Sequence, residues 1–393
     1  MRTLLLTGAA ALALAACETT GSSTPSAADK GAGPAAAPAA SKQTARNVPQ
    51  PSISAERLAA YAPKPSRTST IGYDLLDEAL ELMVFNAGPS LRQSSGRPDP
   101  RVGSRIVRGH TSPYRLEGNK IFFSQFDRAV KESISDYRIS LEGIAASTDI
   151  TTLPKDEQLA FWLNLHNFVV IDEIAQEYPV TNPRRIKPDG GDAPLHTAKI
   201  IDVGDGMLSL RDIREIVFAH WADDKNVVYG FYRGDLAGPS IQDRAYNGRD
   251  VDDMLKRSAS EFVNSLRGVG KAGGELRVSE IYEEARPRLF PNWPVDLRQH
   301  LATHADDEVS ELLAKYDRVG FSQYQETVAD MAGGDVMSDL NNREGAQSVK
   351  RPPGMERMVL EYREKLLELR QRGYFKPKVT IIDLPTADEL DDE

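Results

Sequence analysis

The stretch DEQLAFWLNLHNFVVIDEI, Asp156 to Ile174, decides how the rest of the chain is read. It is nearly as apolar as a membrane segment, yet Asn164, His166 and Asn167 stand in its middle. Pro154 lies near its start, acidic residues fill the first turn and Pro179 follows its end, so the pattern predicts one long helix. Apolar residues on every side mean a helix buried on most sides, at the centre of a domain. At about 100° per residue, Asn164 and His166 point about 200° apart and cannot share one pocket, whereas Asn164 and Asn167 share a face. A buried Asn needs hydrogen-bond partners, so the Asn pair is expected to tie neighbouring loops to the core rather than do chemistry. His166, over Trp162 and beside Val170, stays open between internal wiring and a site.

Helices and strands interleave around this helix. YDLLDEALELMVF carries Leu75, Leu76, Ala79, Leu82 and Met83 at helical spacing. NKIFFSQFDRAVKESISDYRISLEGIA reads as a short strand running into a helix. AKIIDVGDGMLSLRDIREIVFAHW reads as a strand, a Gly turn and a helix with Ser209 as N-cap. NVVYGFY, β-branched and aromatic, predicts a buried strand. VDDMLKRSASEFVNSL predicts a helix, and ELRVSEIYEEA a strand or strand-to-helix turn. The expected fold class is α/β or α+β: a single mixed domain over 55–332 with a central buried helix and a small sheet. Residues 333–354 read as a linker or long loop. Residues 355–393 read as a helix with a Met355, Met358, Val359, Tyr362, Leu366 and Leu369 stripe packed on the main domain. Gly373 then stands at its C-cap, followed by a candidate edge strand KVTIIDL and an acidic tail.

The first residues, MRTLLLTGAAALALAAC, point to a compartment. Arg2 supplies a positive start and Leu4 to Ala16 a short apolar core. Leu14-Ala15-Ala16-Cys17 resembles a bacterial lipobox, in which small residues fit a peptidase cleft and the thiol receives diacylglycerol. The expectation is a lipoprotein signal peptide over 1–16 and a lipidated Cys17. The Ala/Pro/Ser-rich segment 17–54 then forms a disordered tether reaching about 30 Å. Glu18 after the Cys resembles sorting to the outer membrane, with the domain facing the periplasm. The membrane is thus an expected partner through acylated Cys17. Cys17 is also the only cysteine among 393 residues, so the mature chain is expected to lack disulfides and a cysteine nucleophile. Net charge is −10 and no Lys/Arg-rich block occurs, which argues against a nucleic-acid partner.

Several short motifs fail on context. GVGKAG, Gly268 to Gly273, spells the dinucleotide fingerprint, but a helix precedes it and an extended segment follows, so it reads as a loop. Arg233-Gly234-Asp235 is a tripeptide that recurs by chance. There is no Gly-x-Ser-x-Gly elbow and no His-Glu-x-x-His helix. DGGDAPLHTAKIIDVGDG lacks calcium-loop spacing. His166, His196 and His220 are too scattered to name a metal site, so no metal and no cofactor are expected.

The central helix resembles the Phe-Trp-Ile-Asn-x-Tyr-Asn helix of the family catalogued as domain of unknown function 547. LSLRDIREIV resembles its next landmark, and SEFVNS and LRVSEIYEEA fall where it has a later helix and strand. The resemblance runs over roughly 139–330. The family's strand pattern Asp-Pro-Arg-x-His-Phe-Ala-Leu-x-Cys-Gly-Ala-x-x-Cys-Pro aligns without gaps to DKNVVYGFYRGDLAGP, Asp224 to Pro239. Gly234 and Pro239 match. The His position holds Val228, and the two Cys positions hold Arg233 and Gly238. The resemblance implies a shared fold, and the departure implies that thiol chemistry is lost here.

The expected function is a lipid-anchored envelope protein in a binding or assembly role. Arg233, with Arg244 and His196 nearby, would read an acidic envelope ligand or a protein partner. Against this, Arg233 is a solvated loop residue or pairs with Asp235 or Asp243. The alternative activity is a periplasmic hydrolase using His166 or His196 as catalytic residue with a carboxylate or a bound metal.

Overall fold

The long central helix forms where the sequence predicts it and organises everything else. The structure, a computed structural model, describes residues 52–98, 109–335 and 353–374, all within the unit Val48–Glu393. Cys17, the signal-like segment, most of the tether, the core of the 333–354 linker, KVTIIDL and the acidic tail lie outside the described residues. In chain order the elements are α1 (Ala55–Ala60), α2 (Asp74–Met83), β1 (Val84–Phe85), β2 (Lys120–Ile121), α3 (Arg128–Ser147) and α4 (Lys155–Glu177). There follow β3 (Ile201–Asp202), β4 (Met207–Leu208), α5 (Leu210–His220), α6 (Val251–Val263), β5 (Val269–Ala272) and β6 (Glu275–Val278). The series ends with α7 (Ile281–Leu289), α8 (Val295–His304), α9 (Asp307–Lys315), β7 (Val319–Phe321) and α10 (Pro353–Gln371).

From Glu157 to Asp172 every residue of α4 is buried, as a helix apolar on all sides requires. Helices α3, α5 and α6 pack around it. Trp162 meets Tyr61 edge-on at 5.5 Å and Phe161 at 5.3 Å, and the aliphatic side chains complete one continuous core. Fully burying each such Leu or Phe contributes roughly 1.5–3 kcal/mol. On the outer side of α4, Arg138 of α3 bonds Asp172 at 3.1 Å and Glu173 at 2.6 Å, so Glu173 belongs to this network and not to His166.

Ser209 caps α5 as expected. Its hydroxyl accepts from Asp212 N at 3.1 Å, while Asp212 Oδ2 accepts from Ser209 N at 2.7 Å, a reciprocal capping box. The sheets are small. β1 pairs with β2 and β3 with β4, both antiparallel, while β5, β6 and β7 form the three-stranded sheet. β5 runs antiparallel to β6, Val269 opposite Val278, and β7 joins β6 in parallel, Val319 opposite Leu276. The arrangement is α+β.

Two expectations are corrected. NVVYGFY is buried but is not a strand: Lys225–Gly230 coils as a 3₁₀ helix. Asp224 starts it by accepting from Asn226 N, and Asn167 of α4 takes the Gly230 carbonyl and the Tyr232 N–H, groups a β-ladder would need. GVGKAG, expected to be a loop, forms strand β5 over Val269–Ala272, with Gly268 and Gly273 flanking it. Gly273 and Gly274, both at positive φ, make the tight turn into β6.

Helix α10 packs on the body through Met355, Met358 and Tyr362 against Ala87, Met331 and Ala332. Gly373 adopts φ 82° and the bonds Tyr374 N to Leu369 O and Gly373 N to Arg370 O close a Schellman end, as the C-cap reading predicts. Among the described residues, no helix is long and apolar enough to cross a membrane.

Candidate functional site

The three polar residues of α4 take different duties. Asn164 clamps one residue of a neighbouring loop from both sides, donating to Tyr246 O at 2.8 Å and accepting from Tyr246 N at 2.9 Å. Asn167 donates to Gly230 O at 2.9 Å, and its Oδ1 accepts from Tyr232 N at 2.9 Å. The Asn pair is wiring, as read from the sequence.

His166 points the other way, into a charged cluster. Arg214 of α5 donates from Nη1 to His166 Nε2 at 2.9 Å, so Nδ1 carries the proton and donates to Asn167 Oδ1 at 3.0 Å. Burial first, and then Arg214, push His166 far below its ordinary value, so it is neutral. Its lone pair is already engaged by a cation, which leaves it no basic nitrogen for a substrate. His196 stands on the far side of Arg214, its Nδ1 3.5 Å from the same Nη1. Burial, Arg214 and Arg233 keep it neutral too, and its Nε2 is buried without a hydrogen-bond partner.

Glu284 of α7 joins the two arginines. It accepts from Arg214 Nε at 2.9 Å and lies 2.6 Å from Arg233 Nη1. Burial alone would raise its carboxyl, but the two guanidinium groups hold it well below the usual carboxylate range. Arg214 is lowered by burial to about 10, with Glu284 pulling the other way. Next to this triad, Asp235 accepts from Arg184 Nε at 3.2 Å and from Tyr324 OH at 2.9 Å, and the Arg184 guanidinium stacks 3.8 Å from the Tyr324 ring.

Arg233 is thus not a solvated loop residue, nor does it pair with Asp235 or Asp243. It is 5% exposed, held by Glu284, and its Nε and Nη2 have no hydrogen-bond partner. It lines a pocket of about 190 Å³ together with Arg184, Glu280, Ile281, Glu283, Glu284 and Tyr324. The geometry brings His166, His196 and Arg233 into one cluster, through Arg214. Arg244 is elsewhere: half-exposed, it pairs with Asp250 at 2.7 Å and does not line the pocket. Among the described residues, no group of three or more His, Cys, Asp or Glu side chains is placed to hold a metal ion.

Sequence reasoning missed Arg214, Glu284, Arg184 and Tyr324. For Arg214 a signal existed. At 100° per residue it falls in line with Leu210, Val217 and Phe218, all buried, so an arginine stood on the inner stripe of α5.

Residues 150–263 match the family described as Protein of unknown function, DUF547. The DUF547 match takes in both Asn clamps, His166, His196, Arg214 and the Arg233 loop, and stops before Glu284 and Tyr324. No curated protein and no solved structure matches the chain.

Proposed function

We propose that this is a lipid-anchored envelope protein, tethered through Cys17 to the outer membrane, whose DUF547-like domain binds an acidic ligand at the Arg233 pocket rather than doing cysteine chemistry. The observation that carries the reading is the state of Arg233. It is a nearly buried guanidinium with two nitrogens unpartnered, lining a pocket beside a second arginine. With both histidines neutral, Arg214 and Arg233 share the carboxylate of Glu284, with Glu280 and Glu283 also in the pocket lining, yet two Arg233 nitrogens have no acceptor. Buried donors without an acceptor are costly, and an entering carboxylate or phosphate would accept from the free Nε and Nη2 as a fork. The lipid anchor rests on the lipobox-like ending at Cys17.

A hydrolase built on His166 or His196 with Glu284 has less support. His166 has given its lone pair to Arg214, and burial makes His196 a poor base.

The test is titration of the purified full chain with succinate and with inorganic phosphate, followed by calorimetry and melting temperature. The wild type is expected to bind at least one of them saturably. Arg233→Ala is expected to abolish that binding, and Arg233→Lys, which cannot present a planar fork, to weaken it at least tenfold. Equal binding by the wild type and both variants, or no binding by the wild type, overturns the reading.

A further inference from the structure

A second concavity lies between α10 and the segment 91–96. It has a volume of about 310 Å³, and its charged lining is four carboxylates, Glu117, Glu361, Glu364 and Glu368, against two cations, Arg115 and Lys365. Both cations already have hydrogen-bond partners, and neither donates to Glu117, although the field of Lys365 reaches it. Arg115 forms a two-pronged pair with Glu361 at 2.7 and 3.0 Å, and Lys365 Nζ donates to the Leu116 carbonyl at 2.8 Å. Arg267, whose field also reaches Glu117, bonds Glu261 and the Gly238 carbonyl.

Glu117 itself is left incomplete. It is 3% exposed; Oε1 accepts from Ser90 Oγ at 2.8 Å, while Oε2 is buried with no hydrogen-bond partner. Ser95 Oγ, in the same lining, is likewise buried and unpartnered. A buried carboxylate oxygen without a donor costs folding free energy, and burial is the main effect raising the Glu117 carboxyl, with Arg267 opposing it. What the pocket lacks is a group with several N–H donors and a positive charge. A metal ion is a poor fit, because no suitable group of ligands exists among the described residues. An anion is a poor fit because the unpartnered carboxylate oxygen here, Glu117 Oε2, accepts hydrogen bonds and does not donate them.

We propose that this pocket binds an organic cation, an ammonium or guanidinium group on a short alkyl chain. The cation donates to Glu117 Oε2 and Ser95 Oγ while its stem lies along α10. Glu364, exposed on α10, guides the charge toward the mouth. The pocket shares no lining residue with the Arg233 pocket, so this inference stands apart from the proposed function. It also gives α10 a role beyond covering Met331: the helix supplies Glu361, Glu364, Lys365 and Glu368 to the wall.

The experiment titrates the full chain with cadaverine and with agmatine at constant ionic strength, read by calorimetry and melting temperature. Saturable binding is expected for the wild type. Glu117→Gln, which keeps the shape but removes the charge, is expected to weaken it at least tenfold. Glu364→Gln lies on an exposed turn and tests the site without risk to folding, and it is expected to weaken binding about threefold by lost Coulomb attraction. Succinate binding should be unchanged in both variants. No amine binding by the wild type, or undiminished binding by Glu117→Gln and Glu364→Gln, overturns the proposal.

Discussion

Replacing Asn167 by Ala removes three hydrogen-bond partners at one stroke. The Gly230 carbonyl loses its donor, and the Tyr232 N–H and the His166 Nδ1–H lose their shared acceptor. All three groups are on buried residues, where water cannot replace the amide without opening the core. A buried group left unpaired costs about 1–3 kcal/mol, so three together cost about 3 kcal/mol even at the lower end. In a domain of this size each kcal/mol shifts the melting temperature by roughly 2–4 °C, which gives a drop of roughly 6–12 °C. Asn164→Ala strips only the two backbone groups of Tyr246 and should cost about two-thirds as much. Thermal melts followed by circular dichroism, with succinate titration below the transition, separate the cases. The ordering wild type, Asn164→Ala, Asn167→Ala in falling melting temperature is the expected result. If both variants melt like the wild type yet fail to bind succinate, the two asparagines belong to the site and the wiring argument is wrong.

Two further predictions follow from the same chemistry. Cys17→Ser is expected to release the chain from membranes into a soluble or uncleaved pool, checked by fractionation and intact mass; wild-type protein found soluble with an amino terminus elsewhere refutes the anchor. Glu284 has a folded value depressed below its unfolded one, so its contribution to stability is present above about pH 4.3 and is lost as the pH falls below that value. Glu284→Gln should therefore be less stable than the wild type at neutral pH, with two buried guanidinium groups unneutralised, and the gap should narrow on acidification. A gap that is constant from pH 7 to about pH 3 in urea titrations refutes the assignment.

How much could be read beforehand depended on whether the deciding contact was local. The ends of α4, the Ser209 cap and the Gly373 stop are set by neighbours within a few residues, and each was legible. In α2 the sequence offers two stripes, Leu75 with Leu82 and Leu76 with Met83. Packing chooses the second and adds Leu80, leaving Leu75 and Leu82 exposed. Helix α10 shows the same choice: Val359 and Leu366 turn outward although they continue the apolar pattern. The NVVYGFY segment failed for a related reason. Periodicity cannot tell a buried strand from a buried coil when distant Asn167 takes the ladder groups. At the site, Arg233 was found by contrast with the family pattern, but Glu284, which holds it, comes from a helix whose inner face the sequence leaves ambiguous.

Arg233 and Gly238, which stand where the resembled family pattern has its two cysteines, are neighbours in the structure. A Cβ placed at Gly238 would lie 2.9 Å from Arg233 Cγ and 3.0 Å from its Cβ, so the two positions that carry cysteine in the family pattern pack against each other. The long Arg233 side chain fits beside 238 because Gly238 has no side chain. Gly234 takes φ 80°, where a Cβ would strike Ile174 Cδ1 at 2.5 Å, and Gly238 N donates to Asp235 Oδ1 at 2.9 Å. That same Asp235 holds Arg184 and Tyr324 at the pocket rim. The loop therefore presents to the pocket a guanidinium with two unpartnered nitrogens. Two unpartnered guanidinium nitrogens at a pocket suit the acid-binding role proposed above, and loss of saturable succinate or phosphate binding in Arg233→Ala is the result that proposal requires.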